Sequence, residues 1–428
     1  MKSRILVCIT AITLFTALAL PVQLAAQRQT QYTVTFVGNL GGSFSSADGL
    51  NNGGSVAGKS NLNGDTALHA FLWRKGLLTD LGTLGGPSSA ASEGPMINNR
   101  DEVVGFSDTL TPDPNAENFC AIFGDLPNPY TCVPFVWRHG VMTALPLLGG
   151  NNGDASGINN RGQVVGVAET SRIDPICHVL DFEAVIWGPR KGEIQELPPL
   201  PGDTEAIAGA INDNGQAVGT SGNCSQGPIE AVLWQDGTPI DLGNLGGAVF
   251  NIAFDINNRG QVVGQSDLAG DITHHAFLWQ NGLMTDLGTI LGLPVSLAQA
   301  INNKGQVVGF SQDLNSNNTV AWLWQNGVMT DLNTLVPGGG STLFLFEALG
   351  INDRGQIAVA AFDANSGACC AFLMTPTNGE AASETVTAAR GETSQRPKVV
   401  LPENVRKLLR QRMAQRNHIR GFGALPRD

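Results

Sequence analysis

The sequence predicts an all-β fold: a seven-bladed β-propeller of four-stranded blades, closed by its N-terminal strand. Three observations predict it. The phrase Ile-Asn-Asn-Arg-Gly-Gln-Val-Val-Gly at Ile158–Gly166 returns at Ile256–Gly264 and, with Lys for Arg, at Ile301–Gly309. Looser copies stand at Leu50–Gly58, Ile97–Gly105, Ile211–Gly219 and Ile351–Val359. Start-to-start spacings of 47, 61, 53, 45, 45 and 50 residues give a base period near that of a four-stranded blade. The composition agrees: 14% charged residues, 42% hydrophobic residues and 53 glycines in 428 suit a turn-rich sheet protein. They disfavour a coiled coil or a disordered chain.

Each unit reads as four strands in order. Small residues ending at the Ile-Asn pair form the innermost strand, where space near the axis is short. Asn-Asn-x-Gly is then a tight turn, expected from residues that tolerate positive φ. Gln-Val-Val-Gly is the second strand. The third is Ala70-Phe71-Leu72-Trp73 and its counterparts, ending at Phe372-Leu373-Met374, with aromatics to fill the space between blades. Gln280-Asn281-Gly282 and Gln325-Asn326-Gly327 are hairpin turns. Leu283-Met284-Thr285-Asp286-Leu287 alternates apolar and polar as an outer strand does. The phrase Tyr32–Gly42 resembles an outer strand but precedes the first Asn-Asn turn, and the last unit ends without one. The N-terminal strand should therefore complete blade seven, leaving no open edge. An open solenoid needs no such donated strand.

Around residues 32–377 the chain changes character. Residues 1–26 read as a secretory signal: Lys2 and Arg4, an apolar run from Ile5 to Leu20, then Leu24-Ala25-Ala26 for cleavage. That run is short of the ~20 residues that span a bilayer, so no transmembrane segment is expected. The expected address is secreted or periplasmic. Residues 378–402 read as a flexible linker, and 403–428 as a basic tail. In that tail Val405, Leu408, Leu409 and Met413 fall at helical spacing. Six cysteines follow the signal: Cys120, Cys132, Cys177, Cys224, Cys369 and Cys370. An even number in an exported chain favours disulfides over metal binding. Cys120 with Cys132 and Cys177 with Cys224 are the expected pairs; Cys369 and Cys370 form either a vicinal bridge or two thiols.

The combined pattern of His-Ala-Phe (His69-Ala70-Phe71, His275-Ala276-Phe277), Asn-Gly, Asp-Leu-Gly-Thr-Leu-Gly-Gly and Ile-Asn-Asn-x-Gly-Gln-Val-Val-Gly resembles the HAF-repeat family of bacterial extracellular proteins. The resemblance covers about Tyr32 to Thr377. It implies secretion and a propeller-like repeat fold, and brings no catalytic residue with it.

The two turns of each blade share one face of the ring. The large insertions, Asp108–Pro134 and Ala168–Glu183, and every cysteine after the signal are assigned to loops of the other face. Variable loops on a rigid scaffold are where function gathers. Other motifs read differently. Gly53–Ser60 matches the GxxxxGK[ST] nucleotide loop letter for letter, yet it aligns with the turn and strand of the other blades. His274 and His275 are adjacent and point to opposite faces of a strand, and His69 and His178 occupy similar edges. Asn61–Asp65, Asp267–Asp271 and Asp313–Asn317 loosely resemble calcium loops but lack the bidentate Glu, so Ca2+ is a weak expectation and no other cofactor is expected. The net charge of −12 argues against nucleic acid as a partner. The sequence is thus read as a monomeric, non-enzymatic scaffold that binds an extracellular protein or polysaccharide through its insertion-bearing face. The rival reading is a polysaccharide-acting hydrolase or lyase with loop carboxylates that sequence spacing cannot reveal.

Overall fold

The computed structural model describes residues 30–377, except 93, 116–118, 120–128, 175–177, 191, 224–226, 314–317 and 338–341. The expected signal segment, linker and tail lie outside the described residues. Seven four-stranded antiparallel sheets follow one another along the chain. Blade one comprises β2 (Gly41–Leu50), β3 (Val56–Leu62), β4 (Leu68–Arg74) and β5 (Leu77–Asp80), from axis to rim. Blades two to six repeat the order. Blade seven contains β26 (Leu343–Ile351), β27 (Ile357–Asp363) and β28 (Cys369–Pro376), and its outer strand is β1 (Tyr32–Phe36). The register runs Tyr32 opposite Pro376 to Phe36 opposite Phe372. Closure by the N-terminal strand is as the sequence predicts. The strand is shorter than the phrase, because Gly41 and Gly42 already begin the innermost strand of blade one.

Each letter of the repeated phrase has a physical task. The first Asn folds its turn: Asn302 Oδ1 accepts from the N–H groups of Lys304 and Gln306, both at 3.0 Å. Positive φ falls on the Gly of the turn, as at Gly162 and Gly305, and not on the Asn pair. The expectation that these Asn residues serve by accepting φ > 0 is therefore corrected: they serve through their side chains. In the Asn-Gly hairpins the expectation holds, with Asn281 and Asn326 at φ 53° and 52°. The Gln braces the same Asn, Asn302 Nδ2 donating to Gln306 Oε1 at 2.8 Å, and reaches the third strand, Gln306 Nε2 donating to Gln325 Oε1 at 2.9 Å. The two valines are buried in the sheet. The final Gly passes the inner strand so closely that a Cβ at Gly264 or Gly309 stands 1.9 Å from a carbonyl oxygen. Blade seven has Val359 there, and the register of its two inner strands shifts between Leu345 and Glu347 and between Ala348 and Gly350.

The core lies between blades. Phe71, Phe135, Phe277 and Trp322 from the third strands are fully buried, as expected of that phrase. At ~25 cal/mol per Å2 of apolar surface, these interblade layers are the main favourable term in the fold.

Candidate functional site

The two ends of the ring differ. On the turn face, two closed circles of hydrogen bonds join all seven blades. In the inner circle Asn51 Nδ2 donates to the carbonyl of Asn98, and the step repeats around the ring until Asn352 donates to Asn51, at 2.9–3.2 Å. In the outer circle the N–H of Asn52 donates to Asn99 Oδ1, and the last step runs from Asp353 N–H to Asn52 Oδ1, all at 2.8–2.9 Å. Asp replaces Asn at 213 and 353, because this circle needs only an acceptor. Asp213 Oδ2 then accepts the amides of Asn160 and Asn258 at 3.0 and 2.9 Å. Burial pushes the Asp213 carboxyl up, but these bonds outweigh it and hold it below the usual range. The circles rim an axial cavity of about 140 Å3. Asp255 lines it, pushed up to about 7 by burial, its oxygens accepting from Ile256 and Ile301 N–H.

On the opposite face the recurring side-chain bond stays within each blade: the N–H of Leu40, Leu84, Leu200, Leu245 and Ile290 donates to the Oγ of Ser60, Ser107, Ser221, Ser266 and Ser311 at 2.8–3.3 Å. The stems of the expected insertions continue the hairpins: β7 runs Val103–Pro112 into β8 (Tyr130–Arg138), and β11 runs Val164–Ile173 into β12 (Leu180–Trp187). A cleft of about 890 Å3 opens where blade seven meets blade one. Its lining is mixed: Phe36, Phe372, Leu343 and Cys369 are apolar, with the two rings 5.1 Å apart, and Asn39, Ser43, Thr342, Asn365 and Ser366 are polar. Asp363, also in the lining, accepts from Ser366 Oγ at 2.6 Å and Asn365 N–H at 3.1 Å, which hold its carboxyl below the usual range.

The cysteines fall partly as expected. Cys369 and Cys370 form a vicinal disulfide, so two free thiols are excluded, and Cys369 lies on the cleft wall. Cys132 is buried and disulfide-bonded. Cys120, Cys177 and Cys224 lie outside the described residues. Cys132, Cys369 and Cys370 sit in the third strands β8 and β28 rather than in the loops before them, because the hairpin stems extend further than the repeat alone suggests.

A second cluster joins blades three and four. Glu183 on β12 is pushed up to about 7, first by burial and against the pull of Arg172, which it contacts. Arg172 also meets Asp181 at 3.3 Å. Glu205, at the start of β14 (Glu205–Ile211), is 1% exposed with Oε2 unpartnered. Burial, then the charges of Asp174, Asp181 and Glu183, push it up to about 8. No spacing in the sequence signals this cluster: Arg172, Asp181 and Glu183 meet across one hairpin, and Glu205 joins them only through the packing of adjacent blades.

The remaining motifs have structural roles. Gly53–Ser60 is turn and strand β3, with no helix to receive phosphates. His69 and His275 occupy matching positions, paired with Asp80 and Asp286 at 2.9 and 3.0 Å. His274 is buried 4.0 Å from Asp267; His178 lies in a turn with φ 57°. Asp65 and Asp271 accept from the inner strands of their own blades, at Ser43 and at Ala248 and Val249. Residues 314–317 of the third loop lie outside the described residues. Among the described residues no group of three or more His, Cys, Asp or Glu is arranged to hold a metal, and no helix is long and apolar enough to cross a membrane.

No family model matches the sequence, and no curated protein does. Solved structures do match at low identity. One is from a structural and mechanistic study of two prolyl endopeptidases: 10% identity, 81% of this chain, 51% of that one, TM-score 0.48. Another is oligogalacturonate lyase from Vibrio parahaemolyticus: 9% identity, 81% of this chain, 97% of that one, TM-score 0.47. TolB from Acinetobacter baumannii matches at 11% identity, 81% and 80% coverage, and TM-score 0.37. The chain spans about half the length of the endopeptidase it matches. No argument about activity follows from these likenesses.

Proposed function

We propose that the chain is a binding propeller that takes a polysaccharide in the cleft between blades seven and one. The observation that carries this reading is the mixed lining of the cleft. A sugar ring has an apolar C–H face and a hydroxyl edge. Exposed Phe36, backed by Phe372, supplies an apolar surface for the face, and Asn39, Asn365 and Ser366 supply partners for the edge. The signal-like segment 1–26 and the resemblance to HAF-repeat proteins support an address where such polymers occur. A glycan array tests the reading: Phe36→Ser and Asn365→Ala should each weaken retention of a bound glycan about tenfold, a loss of ~1.4 kcal/mol. Unchanged retention in both variants refutes the cleft as the site.

A second reading, a polysaccharide hydrolase or lyase, is favoured by one observation: burial and neighbouring acids push Glu183 up to about 7 and Glu205 up to about 8, close to Asp174 and Asp181. A carboxylic acid kept neutral beside an ionised one is the arrangement that general acid catalysis uses. On this reading Glu205→Gln lowers turnover of a polysaccharide substrate at least ~100-fold. Turnover that survives the substitution, or none with any polysaccharide, leaves the binding reading alone.

A further inference from the structure

The charges of the ring are sorted between its faces. Of the eleven Lys and Arg residues described, nine lie in the turns of the hydrogen-bonded face or at their edges. Five stand at one repeated position, the third residue of the Asn-Asn-x-Gly turn: Arg100, Arg161, Arg259, Lys304 and Arg354, all exposed. Arg74, Lys75, Arg138 and Arg190 flank them in the outer hairpins. The turns and hairpins of this face also carry six acids, and Asp255 is buried in the axial cavity that the turns rim. Asp101 and Glu102 are ion-paired to Arg74, Arg100 and Arg138. Asp213 and Asp353 are bound to the Asn amides of the outer circle, leaving Glu193 and Asp236. Arg161, Arg259, Lys304 and Arg354 form no ion pair among the described residues. A chain of net charge −12 thus presents one face of net positive charge.

Two independent features of the same face narrow the partner. After the Gly of four outer hairpins stands an apolar residue, Leu77, Val141, Leu283 or Val328, 60 to 68% exposed. The chain also leaves the ring here: Thr377 N–H donates to Gln31 carbonyl oxygen at 2.9 Å beside Pro376, on the side of the Gly355 turn. Residues 378–428, which follow, hold ten Lys and Arg against five Asp and Glu. Cations encircled by exposed aliphatic side chains suit a surface that is anionic at the headgroup and apolar beneath. A soluble polyanion offers nothing to the aliphatic side chains.

We propose that the turn face docks on a bilayer with anionic headgroups, with the insertion-bearing face directed away from it. The test is co-sedimentation of the full chain with vesicles of phosphatidylcholine alone and of phosphatidylcholine mixed with phosphatidylglycerol. Wild type should bind the mixed vesicles only, and less as salt is raised. The triple variant Arg161→Gln/Arg259→Gln/Lys304→Gln should bind about 100-fold more weakly, at about fivefold per cation near an anionic surface. Its melting temperature should fall by only about a few degrees, since the three side chains are exposed and form no ion pair, Arg161 and Lys304 acting only as nearby charges on Asp213 and Asp353. Leu283→Ser/Val328→Ser should lose a further several-fold while binding of soluble polygalacturonate stays as it was. Wild-type binding by the triple variant assigns attachment to residues 378–428 and overturns the proposal. So does equal loss of polygalacturonate and vesicle binding in the triple variant with no effect of Leu283→Ser/Val328→Ser, which makes the face a polysaccharide site.

Discussion

At the turn end of the ring, the side chains that the repeat dictates are engaged with the next blade; at the insertion end, neighbouring blades carry different residues and leave a cleft between them. Both ends belong to the same seven sheets. The turn end is uniform because each Asn has to satisfy its own turn and its neighbour's backbone at once, so one blade that departs breaks a circle. At the insertion end the recurring Ser bonds form no closed circle, and the loops between them are free to differ. Blade two extends a long hairpin there, and blade seven places a disulfide beside two phenylalanines. On the proposed reading, the ring-closing bonds and the glycan cleft fall at opposite ends of one scaffold.

The largest expected effect comes from opening the ring. Deleting residues 32–36 strips β28 of its partner strand and uncovers Phe372, with a loss of ~5 kcal/mol or more in denaturant unfolding. Within the turn face, Asn302→Ala removes two acceptor and two donor bonds in a buried site and should cost ~2–4 kcal/mol. The outer circle should discriminate more finely. Asn303→Asp sets a second carboxylate against Asp353 Oδ2, which now accepts the Asn303 amide, and should cost ~1–2 kcal/mol. Asn99→Asp keeps the acceptor used by Asn52 N–H and should be neutral within ~0.5 kcal/mol.

Both ends contribute to pH dependence, Asp255 at the axial cavity and two glutamates at the insertion end, and substitution separates them. Glu183 and Glu205 have pKa values of about 7 and about 8 in the folded chain, above the ordinary glutamate value. The folded state therefore holds more protons than the unfolded state between pH ~4.5 and 8. Their contribution is complete below the unfolded value and is lost as pH rises through the folded ones, so stability falls across that window. Glu205→Gln should flatten the fall and raise the melting temperature at pH 8 relative to wild type. A wild-type profile that rises across the window contradicts the burial of these carboxyls.

Much of the fold was legible because the repeat is written in residue types with strong local preferences. Blade number, strand order, the insertion face and the donated strand all follow from one phrase and its period. The reason for the phrase was not legible. Asn-Asn-x-Gly reads as a turn, and nothing in a single copy shows that Asn302 reaches a carbonyl 50 residues on. Its equal recurrence in seven blades was the available signal. The cleft was not legible either. Phe36 and Cys369 lie at opposite ends of the ring's sequence and meet only because the chain closes. The carboxyl cluster of blades three and four depends likewise on packing between blades, and on burial that composition does not report.

Hydrogen exchange along the chain, with and without a glycan identified by the array, tests most directly the assignment of stability and binding to opposite ends. The account predicts slow exchange at the seven outer-circle amides from Asn52 to Asp353 in both states. It predicts new protection on binding in residues 39–43 and 363–369 alone. Ligand-induced protection at the turn face, or fast exchange of those seven amides in the free protein, contradicts it.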